Sequence, residues 1–91
     1  MTSWTLKIAK QAEEDLKWFR DKDKKVYEKC FDLTRAVLEE PYIGIGKPER
    51  LKGLGGNVWS RRVTLEHRMV YEVFVSARLI VVVAYRYHYV S

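Results

Sequence analysis

The sequence predicts a single α+β domain over residues 1–91, in which a short N-terminal strand and two helices precede an antiparallel three- to four-stranded meander forming one sheet. Three observations support this fold class. Apolar and polar residues alternate near the start, apolar residues then recur at helical spacing, and three β-branched and aromatic runs follow a glycine-rich connector. We expect the helices to cover one face of the sheet and to leave the other face open for a ligand.

The first strand and the two helices are predicted from a change in the spacing of the apolar residues. Residues 4–8 alternate with period two, which is typical of a short strand, and residues 10–20 follow the spacing of a helix. Asp21 or Asp23 can cap a second helix, which ends at Glu39, Glu40 and Pro41. The apolar positions are Ala12, Leu16 and Phe19 in the first helix and Val26, Cys30, Leu33 and Val37 in the second.

The connector and the meander are predicted from composition. All five glycines and both prolines lie within residues 41–57, which indicates a loop region. Strand-like runs then cover residues 58–64, 68–75 and 78–89, separated by gaps of hairpin size.

The net charge of +5 is distributed unevenly. Residues 1–45 hold nine Lys and Arg against nine Asp and Glu, whereas residues 46–91 hold eight Lys and Arg against three Glu. A basic half of this kind favours a polyanion such as a nucleic acid as partner.

No apolar run is long enough to span a membrane and no signal core is present, so we expect a cytoplasmic protein. Cys30 is the single cysteine, which excludes an internal disulfide and indicates a buried core thiol.

Metal-free cleavage of RNA needs a base, cations and an acid, and the C-terminal half offers all three. Glu49 is the only carboxylate of the connector and has Lys47, Arg50 and Lys52 as neighbours. These cations favour its ionised form, which makes Glu49 the candidate general base. The alternative is a loop carboxylate in a surface ion pair.

Three arginines on consecutive predicted strands are candidate phosphate ligands, since guanidinium groups bind phosphate through paired hydrogen bonds. They are Arg61, Arg62 and Arg68. Strand alternation puts Arg61 and Arg62 on opposite faces, so we expect at least one of them to be structural.

The last run contains the candidate acid. Alternation puts Arg86 and His88 on one face and Tyr85, Tyr87 and Tyr89 on the other. His88 can donate a proton near neutral pH, although a hydrogen-bonded histidine at a sheet edge is the alternative. The tyrosines can stack on unpaired bases or pack as core.

The second histidine, His67, lies at a predicted turn beside Glu66. The two histidines are too far apart in sequence for a metal-ligand spacing, so neither a metal nor another cofactor is expected.

Several ordered motifs resemble the YoeB/Txe toxins of the RelE superfamily. They are Gly46-Lys47-Pro48-Glu49, Leu51-Lys52, Trp59-Ser60-Arg61-Arg62, Glu66-His67-Arg68-Met69-Val70-Tyr71 and Tyr87-His88-Tyr89. The resemblance spans nearly the whole chain and implies a RelE-like fold. It also implies a toxin that enters the ribosomal A site and cleaves mRNA there, leaving a 2′,3′-cyclic phosphate and a 5′-hydroxyl.

The same resemblance implies roles for individual residues. Glu49 corresponds to the general base, Arg68 to the cation that stabilises the phosphorane, and His88 to the general acid. Lys52 and Arg62 would assist with phosphate charge, and Tyr89 would help to place the substrate or the C-terminus. Unlike many relatives, this chain carries Val90 and Ser91 after the tyrosine.

The partners that the resemblance implies are the ribosome with its mRNA and an antitoxin of the YefM/Axe type that covers the site. Relatives form homodimers, and they reach operator DNA through the antitoxin complex. Three other functions are alternatives to this one. A gyrase-directed toxin of the same superfold should lack the Glu, Arg and His set, and a binding module without catalysis needs only charge and tyrosines. An antitoxin or regulator is disfavoured because no acidic tail or recognition-helix pattern is visible.

Overall fold

The structure is a computed structural model, and it describes residues 3–87. Two helices and five strands follow one another along the chain. They are β1 (Thr5–Ile8), α1 (Lys10–Lys22), α2 (Lys24–Glu39), β2 (Glu49–Arg50), β3 (Val58–Arg62), β4 (Arg68–Phe74) and β5 (Leu79–Tyr87). This order confirms the predicted α+β class. No helix within the described range is both long and apolar enough to cross a membrane.

The break between the helices lies at Asp23. Its backbone is extended, and its carboxylate accepts hydrogen bonds from the backbone N–H groups of Lys25 and Val26 at 3.1 and 3.3 Å. Two of the free N–H groups at the start of α2 are thereby satisfied. Of the two candidate caps, Asp23 is therefore the one that begins α2.

The five strands form one sheet in the order β1-β5-β4-β3-β2. β1 runs parallel to β5, with Thr5 opposite Leu79, and the other pairs are antiparallel. The meander has four strands, within the predicted three to four, and the fourth is β2, a two-residue segment after Pro48 that pairs with β3. A strand of two residues is too short to show an alternation of apolar and polar residues, so it cannot be located from the sequence.

The helices pack on one face of the sheet, as predicted. Their buried side chains meet those of β4 and β5 in a single core. Cys30 lies in this core with no exposed surface, and burial, with a smaller contribution from the charge of Asp15, raises its pKa to about 12. The fully buried core members from the helices and strands include Ala12, Leu33, Met69, Tyr71, Ile80 and Val82.

The end of β5 departs from regular alternation. Tyr71 pairs with Val82, Val70 with Ala84, and Arg68 with Tyr87, so β5 contains two extra residues relative to β4 over this stretch. Each extra residue is a bulge that reverses which face the following side chains point to. The prediction that Tyr85 and Tyr87 share a face is therefore wrong, since Tyr85 lies in the helix-side core and Tyr87 lies opposite Arg68 on the other face.

Candidate active site

The face of the sheet away from the helices, called the open face here, has a small apolar floor. Leu51, Val58 and Val70 are buried together there, apart from the main core. Register partners in antiparallel strands share a face, and Ser60 pairs with Val70 while Arg62 pairs with Arg68. The floor therefore continues into a polar region that carries the two arginines.

A tight turn brings Glu49 to this face. Gly46 has a positive φ of 85°, and a Cβ at this position would lie 2.8 Å from Leu33 Cδ2. The Gly46 carbonyl accepts a hydrogen bond of 2.6 Å from the backbone N–H of Arg62. Because the connector is held against β3 in this way, β2 begins where Glu49 pairs with Ser60.

Glu49 and the two open-face arginines line one depression of about 280 Å³, together with Lys47 and Pro48. Glu49 is exposed, and Arg62 and Arg68 lie side by side on adjacent strands. One carboxylate thus faces three cations. Such a depression can bind a phosphate while a carboxylate accepts a proton beside it.

A second depression of about 330 Å³ shares Glu49 with the first one. It contains Lys52, which does not line the first depression, and Tyr87, which is 41% exposed. Its further lining residues are Arg50, Leu51 and Leu54. The combination of cations with an exposed aromatic ring suits a nucleotide better than a bare anion.

The structure thus brings together four of the six predicted site residues. Glu49, Arg62 and Arg68 line the first depression, and Lys52 joins Glu49 in the second. His88 and Tyr89 lie outside the described residues. Among residues 3–87, no three His, Cys, Asp or Glu side chains are placed to hold a metal ion.

Arg61 is the structural arginine of its pair. Its guanidinium is fully buried and donates hydrogen bonds to the backbone carbonyls of Glu40, Ile43 and Ile45 at 2.7, 2.9 and 3.1 Å. It also donates to the hydroxyl of Tyr71 at 3.2 Å. The expectation that at least one of Arg61 and Arg62 is structural is confirmed, and Arg61 fixes the loop that leads to Glu49.

His67 belongs to the helix side. Its ring makes edge contacts with Trp18 and Phe19 of α1, with centroid distances of 5.9 and 5.2 Å. Its backbone N–H donates to the Thr64 hydroxyl, which closes the turn between β3 and β4. This arrangement places the His67 ring away from the open face.

Two residues near the site were missed from the sequence. The Ser60 hydroxyl is fully buried beside Glu49 and has no hydrogen-bond partner among residues 3–87. Its alternation with Arg62 could have identified it as an open-face residue. Leu54 is 59% exposed in a connector whose composition indicated only a loop.

Most of the chain matches one family of known proteins. Residues 8–89 match the YoeB-like toxins of bacterial type II toxin-antitoxin systems. The chain is 41% identical over 76 residues to Toxin YoeB of Escherichia coli strain K12, a match that covers 84% of this chain and 88% of the relative.

Solved structures agree with this match. The YoeB/ParE toxin from Agrobacterium tumefaciens has a TM-score of 0.86 and 39% identity, over 93% of this chain and 99% of the other. YoeB from Staphylococcus aureus, solved as a dimer, has a TM-score of 0.84 and 37% identity, over 94% and 98%. A heterotetrameric YoeB-YefM complex from that organism has a TM-score of 0.79 and 37% identity over the same shares.

More distant structures share only the fold. An archaeal RelE from Pyrococcus horikoshii, solved with RelB, has a TM-score of 0.71 at 21% identity. This likeness confirms the expected RelE-like fold. From the match over residues 8–89 and the identity to YoeB proteins, the chain belongs to the YoeB-like toxins of bacterial type II toxin-antitoxin systems.

Proposed function

We propose that this toxin is a ribosome-dependent endoribonuclease that cleaves mRNA in the ribosomal A site by general acid-base catalysis without a metal ion. The observation that carries the proposal is that Glu49 lines two depressions, both of which also contain cations. A carboxylate beside phosphate-binding groups is suited to take a proton from a 2′-hydroxyl next to a bound phosphate.

The residues of the site can accept and donate both protons that the reaction moves. Glu49 takes the 2′-hydroxyl proton while the 2′-oxygen attacks the adjacent phosphorus and forms a phosphorane. Arg68 stabilises the added negative charge, because a guanidinium keeps its own charge and binds phosphate oxygens in pairs. The bond to the 5′-oxygen then breaks, and His88 protonates this oxygen. The products are a 2′,3′-cyclic phosphate and a 5′-hydroxyl.

The remaining site residues bind the substrate. Arg62 shares the scissile phosphate with Arg68, and Lys52 binds the neighbouring phosphate in the second depression. Tyr89 helps to place the substrate or the C-terminus. The role of His88 as the acid is supported by its place in the family motif Tyr87-His88-Tyr89 and by the ability of histidine to donate a proton near neutral pH.

The partners follow from the family and from charge. A YefM/Axe-type antitoxin neutralises the toxin in the cytoplasm by covering the open face. A partner of this type is supported by the YoeB-YefM complex of the Staphylococcus aureus relative. An acidic segment complements the excess positive charge of residues 46–91. The toxin forms a homodimer like that relative, and it contacts operator DNA only through the antitoxin complex.

The test is primer-extension mapping of a defined mRNA on programmed ribosomes, with naked RNA beside it. We expect a cut within the A-site codon. We expect Glu49→Ala and His88→Gln to lower its rate by about 100-fold or more while ribosome binding persists. Glu13→Gln is the matched control, because Glu13 is an exposed carboxylate on α1.

The outcomes separate the parts of the proposal. Unchanged cleavage by either site variant would refute the role of that residue. Cleavage of naked RNA at the same rate would overturn the dependence on the ribosome. If the unaltered toxin cuts neither substrate, a gyrase-directed or binding-only function replaces the nuclease.

A further inference from the structure

One carboxyl group of α1 is buried against the end of β5. Asp15 is only 3% exposed, although it lies in an acidic run near the start of the helix. Its Oδ2 accepts hydrogen bonds from the backbone N–H groups of Tyr85 and Arg86 at 3.0 and 3.2 Å. Its Oδ1 accepts from the side-chain amide of Gln11 at 2.9 Å.

The two N–H groups belong to the second bulge of β5. Between the pairs Val70–Ala84 and Arg68–Tyr87, β5 spans one residue more than β4. A bulge interrupts the ladder and removes hydrogen-bond partners from its own backbone. Successive N–H groups that converge on one anion form a nest, and here the anion is the Asp15 carboxylate. One oxygen of Asp15, Oδ2, thus accepts from both N–H groups.

The bulge decides where the side chains at the end of β5 point. Tyr85 and Arg86 both lie on the helix side, where the Tyr85 hydroxyl bonds Thr34 at 2.6 Å and the Arg86 guanidinium stacks 3.6 Å from the Trp18 ring centre. Tyr87 then lies opposite Arg68 and lines the depression that contains Glu49. Without the extra residue, alternation would return Tyr87 to the face of Tyr85.

We infer that Asp15 is a positioning residue of the active site. Its carboxylate holds the bulge that turns the end of β5 from the helix side to the open face. The bulge thereby places Tyr87 opposite Arg68, in the depression that also contains Glu49. The inference rests on the proposed function, because that function makes the depression lined by Glu49 and Tyr87 part of the nuclease site.

The test compares Asp15→Ala and Asp15→Asn with Glu14→Ala, which removes the same charge from an exposed neighbouring position. In Asp15→Ala we expect the cleavage rate at saturating ribosomes to fall by about 100-fold with KM unchanged, since a misplacement of roughly 1 Å can cause such a loss. In Asp15→Asn a neutral oxygen still accepts, so we expect a loss of about tenfold. Glu14→Ala should match the unaltered toxin.

A second readout does not depend on cleavage. Hydrogen exchange followed by NMR should show that the Tyr85 and Arg86 amides lose protection in Asp15→Ala, while the amides of β3 keep theirs. If the unaltered toxin does not cleave, this exchange measurement still tests whether Asp15 holds the bulge, so failure of the proposed function is distinguishable from failure of the inference.

Two results would overturn the positioning role. The first is a folded Asp15→Ala variant that keeps the full rate at saturation and loses only thermal stability. The second applies if the alanine variant does not fold: an Asp15→Asn variant with the unaltered rate and unaltered amide protection would then contradict the inference.

Discussion

Arg62 and Arg68 are direct register partners on adjacent strands, so two guanidinium groups share one stretch of the open face. Like charges placed opposite each other weaken an antiparallel pair by a few tenths of a kcal/mol to about 1 kcal/mol. Such a pair is therefore suited to a bound anion rather than to stability, since a phosphate between the two groups removes the repulsion.

We predict that Arg62→Gln leaves the free energy of unfolding unchanged or raises it by about 0.5 kcal/mol, while it slows cleavage. Urea unfolding with and without inorganic phosphate measures the stability and its dependence on phosphate, and primer extension on programmed ribosomes measures the cleavage rate. Phosphate should stabilise the unaltered toxin more than the variant. Lys17→Gln removes a charge from an exposed position of α1 and serves as the control. Equal stabilisation of Arg62→Gln by phosphate would contradict the prediction.

Arg61 should respond in the opposite way. We predict that Arg61→Lys lowers the free energy of unfolding by about 3 kcal/mol or more, because an ammonium cannot reproduce the guanidinium contacts to three carbonyls and a phenol. Arg62→Lys, one residue away but exposed, should change it by less than about 0.5 kcal/mol. Denaturant melts of the two variants test this contrast, and equal losses would refute it.

The orphan hydroxyl of Ser60 predicts a gain in stability. Burial of a hydroxyl without a hydrogen bond costs roughly 1 to 3 kcal/mol, so Ser60→Ala should raise the free energy of unfolding by up to about 1 kcal/mol after the lost packing is counted. Thr34→Val is the matched comparison, because the buried Thr34 hydroxyl bonds both the Cys30 carbonyl and the Tyr85 hydroxyl. We expect that variant to lose stability. Thermal unfolding of both variants decides the point.

Alkaline pH should destabilise the fold. Burial raises the pKa of both the Cys30 thiol and the Tyr85 phenol to about 12, from ordinary values of 9.0 and 10.0. Both groups therefore keep their protons up to a higher pH in the folded state than in the unfolded state. Their stabilisation is complete below pH 9 and is lost as the pH rises towards 12, with a slope of up to about 1.4 kcal/mol per pH unit for each group.

Urea unfolding at a series of pH values above 8 measures this slope. Cys30→Ala and Tyr85→Phe should each be less stable at neutral pH, because they lose core packing or the bond to Thr34. Both should show a shallower decline above pH 9. A decline as steep as that of the unaltered toxin would show that the other buried groups cause the effect.

Periodicity was sufficient for much of the fold and for part of the site. It identified both helices, the three long strands and the opposite orientation of Arg61 and Arg62. It could not decide which arginine is structural, because that depends on which face of β3 the helices cover. Nor could composition reveal β2, whose two residues form a strand only through their partners on β3.

The end of β5 was mispredicted for a tertiary reason. Strict alternation assumes a regular strand. The bulge between Ala84 and Tyr87 arises because β5 has one residue more than β4 over the same stretch, and this mismatch is visible only when the two strands are paired. Asp15 stabilises it from another element, yet in the sequence Asp15 belongs to an acidic run that looks like a solvated helix start. Only the packing of α1 on β5 distinguishes Asp15 from its acidic neighbours.

The parallel pairing of β1 with β5 has a consequence for how the domain folds. Thr5 of β1 pairs with Leu79 of β5. Both helices and the rest of the meander lie between these two strands in the sequence, so their pairing closes a long loop. Closing so long a loop is entropically costly, and pairings of this kind slow folding. The hairpins from β2 to β5 need only local contacts and can form earlier. The edge next to β5 therefore stays unpaired late in folding, when an added strand from another chain could occupy the place of β1.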